Sequence, residues 1–224
     1  MSNTVTEQLT EAGRCIEHDS FAIVDREADG HGYGHEQWQV VRRMIHASAD
    51  FEFNGLTRFH PQAVSAGMNA ISAGCAIIVD VGMIDAGLSR PRMAHFGVTT
   101  HHFIGDDDVI ADAHTACTTR AVQAMRKAYY AGLLEGSIIG VGNAPTALLE
   151  TIRLIREEGV RPALVLGMPV GFVAAAQSKA ALAEQDEVPW IVIDGRKGGS
   201  PLVVATLHAL LALCEARQRQ GRAG

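Results

Sequence analysis

A histidine with a carboxylate and a guanidinium at helical spacing is the arrangement in this chain best suited to moving a proton. Arg42, His46 and Asp50 lie four residues apart, so on one helix they project one above another. The acid raises the imidazole pKa and the cation lowers it, from a reference of about 6.5 that already permits transfer near neutrality. Trp38, Val41, Ile45 and Ser48 recur at three- and four-residue steps and predict a helix from about Glu36 with those residues on its buried side. His46 is the candidate acid, with Asp50 and Arg42 in support. The same spacing also describes a surface ion-pair ladder without chemistry.

The elements that must position these groups follow from the hydrophobic pattern. Thr4 to Glu17 has helical character, and Ser20 to Val24 leads into a Gly- and His-containing turn from Asp29 to His35. After the His46 helix, Pro61 opens another helix and Gly74 stops it. Short apolar runs then read as parallel strands at Ala76 to Asp80, Ser137 to Val141, Ala163 to Leu166 and Trp190 to Asp194, and the more polar Gly97 to Phe103 reads as a further strand. Helical stretches alternate with them at Asp107 to Leu134, Pro145 to Glu158, Val173 to Glu184 and Pro201 to Arg219. The pattern predicts an α/β fold with a doubly wound, mostly parallel five-stranded sheet and helices on both faces. One domain is expected over 1–224, with a helical amino-terminal extension over about 1–60 and the sheet core over about 75–219.

Open parallel sheets bind ligands beyond the carboxyl ends of their strands. Those ends carry Asp80-Val81-Gly82, Gly142-Asn143-Ala144-Pro145, Gly167-Met168-Pro169-Val170-Gly171-Phe172 and Asp194-Gly195-Arg196-Lys197-Gly198-Gly199-Ser200. Glycines there let backbone N–H groups approach a ligand, and helix starts favour anions. Several such loops on one rim predict a wide site for a ligand with many acidic groups, although glycine is also common in ordinary strand-to-helix turns.

Composition narrows the partners. A net charge of −6 argues against nucleic acid or an anionic membrane as the main partner. Sixteen Arg against three Lys suits carboxylate or phosphate recognition, and codon bias gives the same ratio. Cys15, Cys75, Cys117 and Cys214 form no C-x-x-C pair, so no zinc site or disulfide framework is expected. The start of the chain is polar, unlike a signal peptide. The near-apolar run from Pro162 to Ala176 is short and interrupted by Gly167, Pro169 and Gly171. A soluble, cytoplasmic protein is expected.

Several motifs fail on inspection. Gly140-Val141-Gly142 begins like a dinucleotide fingerprint, but its sixth position is Pro145 and it follows a late strand. Lys197-Gly198-Gly199-Ser200 lacks P-loop spacing, and there is no G-x-S-x-G elbow. His101 and His102, adjacent on a strand, point to opposite faces. Asp106, Asp107 and Asp108 read as a helix start rather than metal ligands. No metal site is expected.

Arg42 to Asp50, Gly142 to Leu148, Gly167 to Phe172 and Gly198 to Ser200 together resemble the precorrin-8X methylmutase family of cobalamin biosynthesis. Its anaerobic counterparts are cobalt-precorrin-8 methylmutases. The resemblance runs from about Ile16 to Leu213, and the wording of Arg43 to Phe53 is closer to the cobalt branch. It implies a shift of a methyl group from C-11 to C-12 of a tetrapyrrole, no added cofactor because any cobalt arrives with the substrate, and a homodimer with active sites at the subunit interface. The family's essential histidine falls on His46. Its ligand-contacting positions fall on Ser20, Ser89, Arg120, Lys179 and the Gly198-Gly199-Ser200 turn.

A flat ring with carboxylate arms needs apolar cover, for which Met168, Pro169 and Phe172 are candidates, and cations, for which Arg120, Lys179 and Arg196 are candidates. Asn143 joins them at its strand end. Solvated helix residues and ordinary core remain the alternative readings of these side chains. Two other functions stay open at this point: a non-catalytic corrinoid carrier with the same pocket, and a dinucleotide-dependent oxidoreductase on the same scaffold.

Overall fold

Apolar runs without polar alternation form strands covered on both faces. Ile138–Val141, Leu164–Gly167 and Trp190–Ile193 are buried at every position. In the computed structural model, which describes residues 10–28 and 30–223, they are β4, β5 and β6 of a six-stranded sheet. β1 (Thr57–Phe59), β2 (Ala76–Val79) and β3 (Thr99–His101) complete it, in the order β1-β6-β5-β4-β2-β3. All neighbours run parallel except β1, which pairs antiparallel with β6 and sets Thr57 opposite Ile193.

The five expected strands are therefore present, and β1 is a correction to the count. Three residues cannot display an alternating pattern, and an edge strand needs burial on one side only, so β1 left no periodic signal. Side chains alternate between the two layers as a period of two requires. Ile77, Val79, Ile138, Leu164 and Leu166 enter one cluster, while Ile78, Ile139, Val141, Val165 and Val192 enter the other.

The first layer contains α1 (Glu11–Glu27), α2 (His35–Ser48), α4 (Ala63–Ser72), α5 (Gly82–Gly87), α6 (Arg90–Phe96) and α11 (Ser200–Ala223). The second holds α8 (Arg120–Tyr130), α9 (Pro145–Glu157) and α10 (Ala175–Ala183). A single turn, α3 (Phe53–Leu56), precedes β1, and α7 (Asp107–Thr115) precedes α8. α11 is long and apolar enough over Ser200–Gly221 to cross a membrane by length and composition, but 61% of that window is buried within the fold. It forms the spine of the first layer against α2, α4 and α5.

Three helix boundaries depart from expectation. α1 runs unbroken through 20–24, where a lead into a turn was expected. It starts at Thr10, whose hydroxyl accepts from the Gly13 N–H. The expected helix start before residue 10, and Asp29, fall outside the described residues. The region 107–134 is two helices: Cys117 adopts φ +49°, and the Thr119 hydroxyl caps α8 by accepting from the Val122 N–H. Gln62 occupies the N-cap position of α4 without a side-chain bond, so Pro61 lies in the preceding turn rather than in the first turn of the helix.

Candidate active site

His46 sits in the last turn of α2, beside a cavity of about 410 Å³. Arg43, Ala47 and Glu17 line one side; Met83 and Gly87 from α5 and Pro201, Val204, Ala205 and His208 from α11 line the other. Ser20 Oγ and His46 Nδ1 lie 2.7 Å apart. The bond fixes the ring's orientation in either protonation state: the hydroxyl donates to Nδ1 of the neutral imidazole and accepts from Nδ1–H of the imidazolium. Phe21 packs at 5.0 Å between ring centroids. Burial, reinforced by the Arg43 charge, holds the His46 pKa below the ordinary histidine value.

A second histidine faces the same cavity. His208 is buried on α11, and its Nε2 accepts the Ser89 backbone N–H at 3.2 Å. Burial and the neighbouring Arg43 and Arg92 push its pKa down to about 4, so it is neutral at pH 7. Glu17, Arg43 and His208 are the site residues that sequence reasoning missed. Arg43 stood one position from the residue chosen, whereas His208 belongs to no motif and reaches the site only through the packing of α11 on α2.

The expected support for His46 is rearranged. α2 ends at Ala49, which takes the left-handed conformation with φ 55°, so Asp50 leaves the helix face. Its carboxylate receives the Lys197 ammonium at 2.5 Å, and that bond holds the Asp50 pKa below the usual carboxylate range. Arg42 turns to Asp25 at 2.7 Å and also bonds Gln39. Neither residue hydrogen-bonds the imidazole; Ser20 does. Trp38, Val41 and Ile45 are buried as expected, but Ser48 is exposed, its hydroxyl donating to the Met44 carbonyl at 2.7 Å.

Several backbone donors of the strand-end loops are already engaged within the chain. At the switch between β2 and β4, where doubly wound sheets open a crevice, the Asp80 carboxylate accepts the N–H groups of Gly142, Asn143 and Ala144 at 2.7–3.0 Å. The Gly199 N–H donates to the Met168 carbonyl at 2.8 Å. Glycine is needed at two positions for close approach. A Cβ on Gly142 would lie 2.7 Å from Ser200 Cα, and one on Gly198 would lie 2.3 Å from the Met168 oxygen.

Met168 is fully buried beneath Thr206, and Ser200 is buried at the start of α11. Lys179 is 1% exposed, its Nζ donating to the Lys197 carbonyl at 2.6 Å, with burial pushing its pKa down to about 8. Phe172 stands 85% exposed with Arg196 5.5 Å from its ring, and Asn143 is exposed with its N–H on Asp80. Arg120 opens α8 in a separate cavity with His114 and Thr118. Of the expected residues, the fold brings Ser20 to His46 directly and Ser89 through His208. Asp50, Lys179, Arg196, Phe172, Met168 and the 198–200 turn gather about the strand-end loops, while Arg42 stays on α2 with Asp25 and Arg120 stands apart.

The comparisons with known proteins agree on one family. A model described as Precorrin-8X methylmutase matches residues 15–213. The cobalt-precorrin-8 methylmutase of Leptospira interrogans is 48% identical over 215 residues, covering 94% of this chain and 98% of the relative. That of Priestia megaterium is 44% identical over 207 residues, covering 92% and 91%. The solved precorrin-8X methyl mutase from Thermus thermophilus superposes with a TM-score of 0.86 at 53% identity, covering 91% of this chain and 97% of that one. With most of its length matched in sequence and in fold, the chain belongs to the precorrin-8X methylmutase family.

Proposed function

We propose that the chain is an isomerase of corrin biosynthesis, moving a methyl group from C-11 to C-12 of cobalt-precorrin-8 to give cobyrinate, with His46 as proton donor. The observation that carries the reading is the Ser20–His46 bond beside a largely apolar cavity. It holds a titratable ring at the cavity in one orientation, with Nε2 free of the Ser20 bond. A proton delivered by Nε2 to a ring nitrogen or carbon near the migrating methyl selects the tautomer in which a [1,5]-sigmatropic shift is allowed, and the same nitrogen recovers a proton afterwards. Reactant and product are isomers, so the reaction consumes no oxidant, reductant or second substrate. We therefore assign no cofactor, with cobalt carried by the substrate.

The cobalt form is favoured because the Leptospira and Priestia relatives are both named for it. A tetrapyrrole with its arms exceeds the His46 cavity of about 410 Å³, which supports a homodimer whose second subunit completes the site. We place the enzyme in the cytoplasm.

The test is to incubate the protein with the cobalt and metal-free substrates and follow the corrin absorption spectrum. The wild type is expected to convert the cobalt form faster, and His46→Ala to bind product while losing turnover. Turnover by His46→Ala at the wild-type rate would end the proton-donor role. A wild type that binds product without ever forming it would be a carrier.

A further inference from the structure

Two cavities meet at one ion pair. The His46 cavity and a second one of about 350 Å³ between α1, α2 and α11 share Glu17 and Arg43. The Arg43 guanidinium donates to Glu17 Oε1 at 2.9 Å. Ala209, Ala212 and Leu213 form an apolar floor in the second cavity, and Phe21 covers it. Arg43 precedes His46 by three residues on α2, so the two side chains project from neighbouring positions on one face. Only 9% of Arg43 is exposed, an unusual depth for a guanidinium and one that demands a partner.

Glu17 is carried on a weakly held element. Val24 is the one buried residue of α1. The rest of its attachment to α2 is one half-buried ring, Phe21 against His46 and the Arg42 guanidinium, and polar bonds: Ser20 to His46, Glu17 to Arg43, and Asp25 to Trp38 and Arg42. A helix tied by hydrogen bonds and ion pairs with little apolar burial opens at low cost. Burial also pushes the Glu17 pKa up despite the Arg92 and Arg42 cations around it, so the carboxylate that faces Arg43 is desolvated at a cost.

We propose that Arg43 is the receptor for a carboxylate arm of the tetrapyrrole, and that Glu17 holds the place of that arm in the unliganded chain. This rests on the methylmutase reading and assigns it a specificity-determining residue. The exchange is carboxylate for carboxylate, so the buried guanidinium stays paired throughout. Displacing Glu17 removes the wall between the two cavities and widens the space beside His46. Arg42 lines only the second cavity, whereas Arg43 lines both.

The experiment titrates the corrin product, by absorbance, into the wild type, Glu17→Gln, Arg43→Gln and Arg43→Lys, each checked for folding by thermal melting. The same titration with a corrin whose arms are all amides serves as the uncharged probe. Glu17→Gln is expected to bind product severalfold more tightly, because the internal competitor is gone. Arg43→Gln is expected to bind it about thirtyfold more weakly, and to bind the amide corrin as the wild type does.

Arg43→Lys keeps the charge without the fork and falls between; it decides the matter if Arg43→Gln does not fold. Wild-type affinity for product in a folded Arg43 variant overturns the inference, as does weakening by Glu17→Gln equal to that by Arg43→Gln. Turnover by the wild type in the same preparation separates this from the functional reading. An inactive wild type overturns that reading, whereas an active wild type with a fully binding Arg43→Gln overturns only the role of Arg43.

Discussion

At the scale of residues, a proton donor is only as useful as the fraction that carries the proton. Burial and the Arg43 charge lower the His46 pKa, so the imidazolium is the minor form at pH 7 and gains population as pH falls. If the imidazolium is the donor, kcat/KM, which reports the free enzyme, should decline as pH rises through a midpoint below about 6.5. Arg43→Gln removes the nearest cation and should move that midpoint upward. A pH–rate series on both proteins checks the sign, and a midpoint unmoved by the substitution would separate His46 from Arg43.

Ser20→Ala should lower kcat by about tenfold with little change in KM, since the hydroxyl orients the ring and the cavity keeps its shape. Stopped assays at saturating substrate measure it. Helical spacing pointed to His46 but misassigned its support. Asp50 was chosen on the assumption that α2 lasts another turn, whereas Ser20 is 26 residues away in the chain and becomes its partner only when α1 lies on α2.

At the scale of elements, the rim loops are held by one internal anion. Asp80 is 1% exposed and takes three N–H groups at the start of α9, where the helix dipole also favours negative charge. Burial pushes its carboxyl pKa up, and the three N–H bonds oppose that rise. Asp80→Ala strands those donors in a buried turn, and stability should fall by about 3 kcal/mol. Asp80→Asn, which keeps one oxygen, should fall less. Denaturant midpoints at unchanged slope provide the comparison.

The strands were readable because a buried parallel strand needs an unbroken apolar run, and β2, β4, β5 and β6 each have one. The use of the loops was not. Glycines beyond a strand look the same whether their N–H groups meet a ligand or, as at 142–144, a carboxylate from the neighbouring strand. The break between α7 and α8 was equally hidden, since it depends on Cys117 entering a conformation that side chains other than glycine seldom adopt.

At the scale of the whole molecule, the sheet separates groups that the family resemblance brings to one ligand. His46 lies on α2 in the layer with α11, whereas Arg120 opens α8 in the opposite layer and lines a different cavity. A rigid, flat macrocycle held beside His46 does not pass through a six-stranded sheet to reach Arg120 of the same chain. If both residues serve one substrate in the homodimer proposed above, they come from different protomers.

Two-fold symmetry then makes a quantitative demand. In a heterodimer of His46→Ala with Arg120→Ala, one site has lost both residues and the other retains both. Random exchange of equal amounts makes half the dimers mixed, so about one site in four regains the wild-type pair. Each variant alone should be nearly inactive, and the exchanged mixture should recover about a quarter of wild-type turnover, measured after dissociation and reassociation. A mixture that never exceeds the mean of its two components would place both residues in the same chain's site, and the substrate would then have to reach around the sheet's rim.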